Sequence, residues 1–151
     1  MNAARPLIVT DRLELLAPDP ALAADTLAFF SRNRAHLAPW DPSTPEAFFS
    51  EDFQRQRLEV GAAAFGAGSA WRWWLRRRGE PGRLVGNLHF SQVARGPFQN
   101  ALLGYSLDAR CEGLGLMHEA LAAAIAEVFS PALNLHRIQA NVRPDNPRSL
   151  A

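Results

Sequence analysis

The chain has 151 residues, 48% of them apolar, and a formal net charge of +1, which suits one domain with material for a single core. Near-neutral charge gives no global attraction to nucleic acid or an anionic membrane, and one cysteine excludes an internal disulfide framework. There is no zinc-spaced Cys/His set, no apolar run near the ~20 residues of a membrane span and no signal-peptide core, so the expectation is a cytoplasmic protein with no metal and no membrane partner.

Residues 8–16 alternate around Leu13 and Leu15 and stop at Pro18-Asp19-Pro20, which predicts a first strand. Residues 20–31 read as a helix with Leu22, Leu27 and Phe30 toward the core and Asp19 as its cap. From Asn33 to Pro45 the three prolines Pro39, Pro42 and Pro45 surround Trp40, which predicts an ordered loop rather than helix. Trp40 then either lines a substrate cleft or anchors the loop. Residues 45–65 read as a second helix capped by Thr44, with Glu46 in its first turn, Phe49, Phe53, Leu58 and Val60 along it, and Gly61, Gly66 and Gly68 loosening its end.

The stretch Trp71-Arg72-Trp73-Trp74-Leu75-Arg76 interleaves arginine with tryptophan, a pattern that can stack bases and neutralise phosphates. Strand alternation explains it better: Trp71, Trp73 and Leu75 share one face, Arg72, Trp74 and Arg76 the other, and residues 77–82 form a solvated hairpin turn. Direct nucleic-acid binding is therefore not expected. Residues 83–92 make the partner strand, where His89 and Ser91 are candidates to face a substrate cleft.

Ala101-Leu102-Leu103-Gly104-Tyr105-Ser106-Leu107 suits a largely buried strand, and Met117, Leu121, Ala124, Ile125 and Val128 give the apolar stripe of a helix that stops at Ser130-Pro131. Between them lies Arg110-Cys111-Glu112-Gly113-Leu114-Gly115. Glycines at a helix N-terminus leave amides and the positive dipole end open to a phosphate, although a plain glycine-rich turn has the same signature. A P-loop is excluded, because all 16 basic residues are arginine, and a dinucleotide fingerprint would need glycine or alanine where His118 stands. Cys111 is expected to have a lowered pKa beside the helix dipole, without being a nucleophile, because no base accompanies it. His118 reads as a surface residue and His136 as a structural one. Ile138, Ala140 and Val142 alternate as a last short strand, and residues 146–151 read as the cap and first turn of a further helix.

This order, a strand, Arg-x-x-Gly-x-Gly, then a helix opening Leu-Met-His-Glu-Ala-Leu, resembles the acetyl-coenzyme A signature of the GNAT superfamily of N-acetyltransferases. Within it, Asn33-Arg34-Ala35-His36-Leu37-Ala38-Pro39-Trp40, residues 86–98, residues 103–107, residues 136–142 and Pro144-Asp145-Asn146-Pro147-Arg148-Ser149 resemble the ribosomal-protein alanine N-terminal acetyltransferases. The implied fold is α/β, a mixed and mostly antiparallel sheet flanked by helices, in a single domain over residues 1–151. Similar proteins continue with a C-terminal helix and strands lacking here, so the chain reads as C-terminally truncated, either a fragment or an unusually short gene product.

The resemblance implies acetyl-CoA as co-substrate and a protein N-terminus, with ribosomal proteins as the named candidates, as acceptor. It assigns backbone contacts to Tyr105, Ser106 and Leu107, the pyrophosphate loop to Arg110, Cys111, Glu112, Gly113, Leu114, Gly115, Leu116 and Met117, and a pantetheine contact to Asn146. Arg143 and Arg148 are implied at either the cofactor's 3′-phosphate or the acceptor. It favours Trp40 at the acceptor cleft. Ser149 falls where the family places a serine beside the thioester sulfur, so it is either a general acid or a helix cap. Glu46 and Glu51 are candidate bases. Two other classes stand beside this reading: a ribosome- or RNA-binding accessory protein using the Arg/Trp hairpin, and a non-catalytic acetyl-CoA-binding protein.

Overall fold

The computed structural model describes residues 7–39 and 45–141. Where one strand is expected over residues 8–16, two short ones form, β1 (Ile8–Val9) and β2 (Leu13–Leu16), paired antiparallel. The reason is local. The Thr10 N–H donates to Leu13 O at 2.8 Å and the Thr10 hydroxyl oxygen accepts from the Leu13 N–H at 3.1 Å, closing a turn that reverses the chain.

Asp19 caps a 3₁₀ turn (Pro20–Leu22) by accepting from the Ala21 N–H, and α1 (Ala23–Arg32) follows. Its core residue is Phe29, fully buried, whereas Leu27 and Phe30 are only half-buried. The expected loop after it contains a one-turn helix, α2 (Arg34–Leu37), because the prolines begin only at Pro39 and leave the Leu37 N–H to Asn33 O bond intact. The expected second helix starts later than residue 45: a 3₁₀ turn (Glu46–Phe49) precedes α3 (Glu51–Ala67), and the cap is Ser50, whose Oγ accepts from the Phe53 N–H. Gly68 closes α3 in the left-handed conformation, and Gly61 packs a backbone against Pro18 instead of loosening the helix.

The remaining elements are β3 (Trp71–Arg77), β4 (Leu84–Ala94), β5 (Asn100–Leu107), α4 (Leu116–Val128) and β6 (Arg137–Ala140). The six strands lie in chain order, antiparallel throughout except for the parallel pair β5 and β6. Alternation along β3 distributes the tryptophans as the pattern predicts. Trp71, Trp73 and Leu75 join the core under α4, with Leu116, Ala120, Ala124 and Val128, while Trp74 joins Phe29, Leu37 and Leu58 under α1 and α3. The sheet is thus covered on both faces.

Parallel pairing between β5 and β6 runs from Asn100↔Arg137 to Leu103↔Ala140. Beyond that point residues 104–107 stay paired to β4, through His89↔Gly104 to Gly86↔Leu107, but no described strand pairs their other edge. An open edge of backbone donors and acceptors therefore faces the gap at the end of β6. Among the described residues, no helix is long and apolar enough to cross a membrane.

Candidate active site

The turn after β5 is held from below. The Asp108 N–H donates to Val85 O, and its buried carboxylate accepts from the Arg110 N–H at 2.9 Å and from Arg32 Nε at 2.8 Å. Asn33, itself buried, accepts from the Ala109 N–H and donates to Phe29 O. Burial alone would raise the Asp108 carboxyl, but the Arg110 N–H, Arg32 and Asn33 together hold it below the usual carboxylate range. This network sets a 3₁₀ turn (Ala109–Cys111) whose sulfur points into the core. Cys111 is 5% exposed, and burial, then the Asp108 charge, pushes its thiol up, the reverse of the lowering expected from a helix dipole.

From Glu112 the chain opens toward solvent. Gly113 and Gly115 have φ of 79° and 76°, the left-handed region. A Cβ on Gly113 would meet nothing within 4 Å, so glycine serves the backbone turn and leaves open space beside it. Gly115 is the N-cap of α4 and no side chain caps that helix, so first-turn amides and the positive dipole end point into the same space. Those features fit a pyrophosphate. Of the loop candidates, Arg110, Gly113, Leu114 and Gly115 are exposed and Glu112 and Met117 half-exposed, whereas Cys111 and Leu116 are buried and offer backbone only.

A second tie locks the loop to the first hairpin. Glu119, in the first turn of α4, accepts from the Thr10 hydroxyl, the Arg12 N–H at 2.9 Å and Arg12 Nε at 2.7 Å, while Arg12 Nη1 donates to Leu114 O at 2.8 Å. The Thr10 hydroxyl, then the Arg12 backbone and side chain, bring the Glu119 carboxyl down to about 2. Arg12 is thus clamped between the helix start and the loop carbonyl.

On the opposite face, α3 and strands β3 and β4 enclose a cleft of about 440 Å³ whose walls include Gln54, Arg57, Trp74, Arg72, His89 and Ser91. The His89 ring lies on β5: a Cβ on Gly104 would fall 2.5 Å from Nε2, so only glycine admits it. Burial, then Arg72 and Arg57, bring His89 down to about 4, so it is neutral at physiological pH and a weak base. Arg72 Nη1 donates to Asn87 Oδ1, and Asn87 Nδ2 donates to Ser106 Oγ at 2.8 Å, a chain of polar groups crossing from the cleft to the open part of β5. His89 sits where β5 leaves β6, so cleft and strand gap meet there.

The sequence candidates fall into three groups. The loop residues, Tyr105, Ser106, Leu107, His89 and Ser91 surround the gap and the cleft. Glu46 and Glu51 do not: Glu46 is an exposed partner of Arg34 Nη2 at 2.8 Å, which holds its carboxyl down, and Glu51 pairs with Arg55 at 3.1 Å one turn into α3. Trp40, Asn146 and Ser149, like Thr44, Arg143 and Arg148, lie outside the described residues. The rings of Trp71, Trp73 and Trp74 are at most 2% exposed, so the Arg/Trp strand offers no platform for stacking bases. Sequence reading missed Asn33, Asp108, Arg12, Glu119 and Arg57. Their roles depend on partners far along the chain; Asn33 and Glu119 carried a signal, within the matching Asn33-to-Trp40 and Leu116-to-Leu121 text. Among the described residues, no group of three His, Cys, Asp or Glu could hold a metal ion.

The family model for the acetyltransferase (GNAT) domain matches residues 12–151. The chain is 34% identical over 148 residues to the ribosomal protein uS5-alanine N-acetyltransferase of Escherichia coli, covering 98% of this chain and 75% of that one. Among solved structures, the ribosomal-protein-S5-alanine acetyltransferase of Vibrio fischeri superposes with a TM-score of 0.89 at 31% identity, over 95% of this chain and 77% of that one. RimJ of Mycobacterium smegmatis in complex with CoA-disulfide superposes with a TM-score of 0.83 at 27% identity, over 91% of this chain and 66% of that one. Left-handed glycines leading into an uncapped helix, a strand edge left open beside them and a family match over nearly the whole length agree: the chain belongs to the GNAT acetyltransferase family.

Proposed function

We propose that this chain moves acetyl from acetyl-CoA to the N-terminal α-amine of a protein, with a ribosomal protein as the acceptor, in the cytoplasm. The observation that carries the reading is the Gly113-to-Gly115 loop entering α4 without a side-chain cap, next to the open edge of residues 104–107. The acceptor class is supported by the relative in Escherichia coli, named for acetylating the alanine of uS5.

Acetyl-CoA supplies a thioester already activated for attack by an amine. The amides of residues 113–117 take the pyrophosphate, and residues 104–107 offer strand-like hydrogen bonds to the amide groups of pantetheine. The acceptor enters the cleft under α3 and reaches the gap beside His89. An α-amine has a pKa near ~8, so roughly a tenth of it is neutral at pH 7 without any base. Arg57 and Arg72 disfavour the ammonium form further, which moves the amine toward its reactive state. Since Glu46 and Glu51 stand outside the cleft, we assign proton removal to water. Asn146 remains the pantetheine contact, Ser149 the donor to the leaving thiolate and Trp40 a wall of the acceptor site in this reading. Positioning supplies most of the rate.

The test is incubation with acetyl-CoA and peptides that differ only in their first residue, with CoA binding followed by calorimetry. Transfer to the α-amine with a preference for a small first residue supports the reading. CoA binding without transfer to any peptide would instead favour a non-catalytic acetyl-CoA-binding protein.

A further inference from the structure

We propose that the cleft under α3 selects acceptors carrying a carboxylate close to the reactive amine, and that Arg57 is the residue that holds it. The inference rests on the acyl-transfer reading above and names its substrate class. Arg57, Arg72 and His89 line the cleft, and among the described residues no Asp or Glu does. A peptide terminus bearing only its ammonium group meets cations there, whereas one with an acidic side chain brings a counter-charge for Arg57.

Arg57 is the cleft cation whose surroundings carry the inference. Seven other arginines, Arg12, Arg32, Arg34, Arg55, Arg76, Arg77 and Arg83, pair with carboxylates within the described chain. The Arg57 guanidinium makes no ion pair among the described residues. It lies 4.8 Å from the Phe48 ring centroid and 5.5 Å from that of Phe30, and its hydrogen bond runs to Gln54 Oε1 at 3.3 Å. Burial lowers its pKa, so the site disfavours the charge it contains.

Gln54 shows that the guanidinium is positioned. The residue is 1% exposed, and its amide nitrogen is anchored on Phe48 O at 2.7 Å, which presents Oε1 to Arg57. A cation fixed by a buried amide and two rings, with donors left over at a cleft wall, is arranged for a planar anion from outside. A residue present only to fill space between Phe30 and Phe48 would not need the charge.

Location sets where the carboxylate sits on the acceptor. The amine must reach the gap beside His89, and Arg57 acts electrostatically on that imidazole from the α3 wall. An extended chain advances ~3.3–3.6 Å per residue, so the acidic side chain belongs within the first few residues of the acceptor.

The experiment compares three peptides with the same N-terminal alanine and glutamate, glutamine or lysine next to it. For each, kcat/KM with acetyl-CoA and affinity for the CoA-loaded protein by calorimetry are measured. We expect glutamate to exceed glutamine about tenfold or more, with lysine below both. Arg57→Gln should bring the glutamate-to-glutamine ratio close to one, and Arg57→Lys should restore part of it. Equal affinities for the three peptides, or a ratio that survives in Arg57→Gln, would overturn the inference. The two proposals fail separately: no acetyl transfer to any peptide counts against the enzymatic reading, and calorimetry then still decides whether acidic peptides are preferred.

Discussion

The His89 ring packs over the backbone of Gly104 where cleft and gap meet. A methyl group at Gly104 would fall 2.5 Å from Nε2 and 2.7 Å from Cε1 of the ring, so Gly104→Ala must displace the imidazole or the strand. We expect a loss of about 1–3 kcal/mol, read as a fall of several degrees in Tm, and a larger loss of transfer rate than the stability change explains. The His89 pKa makes a separate prediction. Because it falls from 6.5 to about 4 in the fold, the unfolded chain takes up a proton between those values and the folded chain does not. Stability is therefore full above pH 6.5 and declines as pH falls toward 4. His89→Gln should flatten that limb in urea titrations, and an unchanged acid limb would mean that the ring is not shielded as described.

The phosphate loop is an element built from three anchors: the Asp108 network beneath it, the left-handed glycines within it and the Arg12–Glu119 clamp beside it. Gly113→Asp and Gly113→Ala separate two effects. Both strain a backbone at φ 79°, but only aspartate places charge in the open space, so we expect CoA affinity to fall about tenfold or more for aspartate and much less for alanine. Equal losses would point to backbone strain alone. Glu119→Ala should cost about 1–2 kcal/mol and weaken CoA, because Thr10 and Arg12 lose their acceptor and Leu114 O its fixed donor. The carboxyl titrates near 2 in the fold against 4.5 otherwise, so its contribution is present above pH 4.5 and is lost as pH falls toward 2. Acid titration of the variant against the parent reads this directly.

What the sequence makes legible at this scale follows from the range of the forces involved. The β3 alternation and the glycine turn are local patterns and appear where residue spacing puts them, while the stripe of α4 is turned by one residue, with Leu116, Ala120, Ala124 and Val128 buried and Met117, Leu121 and Ile125 half-buried. The split of residues 8–16 into a hairpin turns on the Thr10 hydroxyl reaching the Leu13 backbone, which periodicity does not register. The late start of α3 turns on Ser50, whose Oγ accepts from the Phe53 N–H. Cys111 reads wrongly in isolation, because nearness to a helix start in sequence does not reveal that its sulfur joins the core. Arg12, Arg57 and Asp108 carry no local mark at all, since their partners lie on other elements.

Taken whole, the molecule brings two routes to one point. In the proposed reading a strand edge bounded by the glycine loop serves the donor and a cationic cleft under α3 serves the acceptor, and the two meet at His89 and Gly104. In the proposed reading Arg57, Arg72 and the neutral His89 face the acceptor and the described lining holds no carboxylate, so an amine bound without an acidic neighbour should lose its proton below its usual pKa of ~8. The kcat profile should then rise with pH through an inflection below ~8 and plateau above it, and Arg57→Gln should move the inflection upward. An inflection that stays fixed in the variant would detach the cleft charge from catalysis.

The most direct measurement uses one peptide with a free N-terminal alanine, an acidic second residue and an internal lysine, incubated with the protein and acetyl-CoA. Tandem mass spectrometry of the product then locates the acetyl group. The account predicts a single acetyl on the α-amine with the lysine untouched, since ε-ammonium at ~10.4 is far less often neutral and the described lining of the cleft holds no carboxylate to deprotonate it. Acetylation of the lysine, or no acetylation while CoA binds, would contradict it.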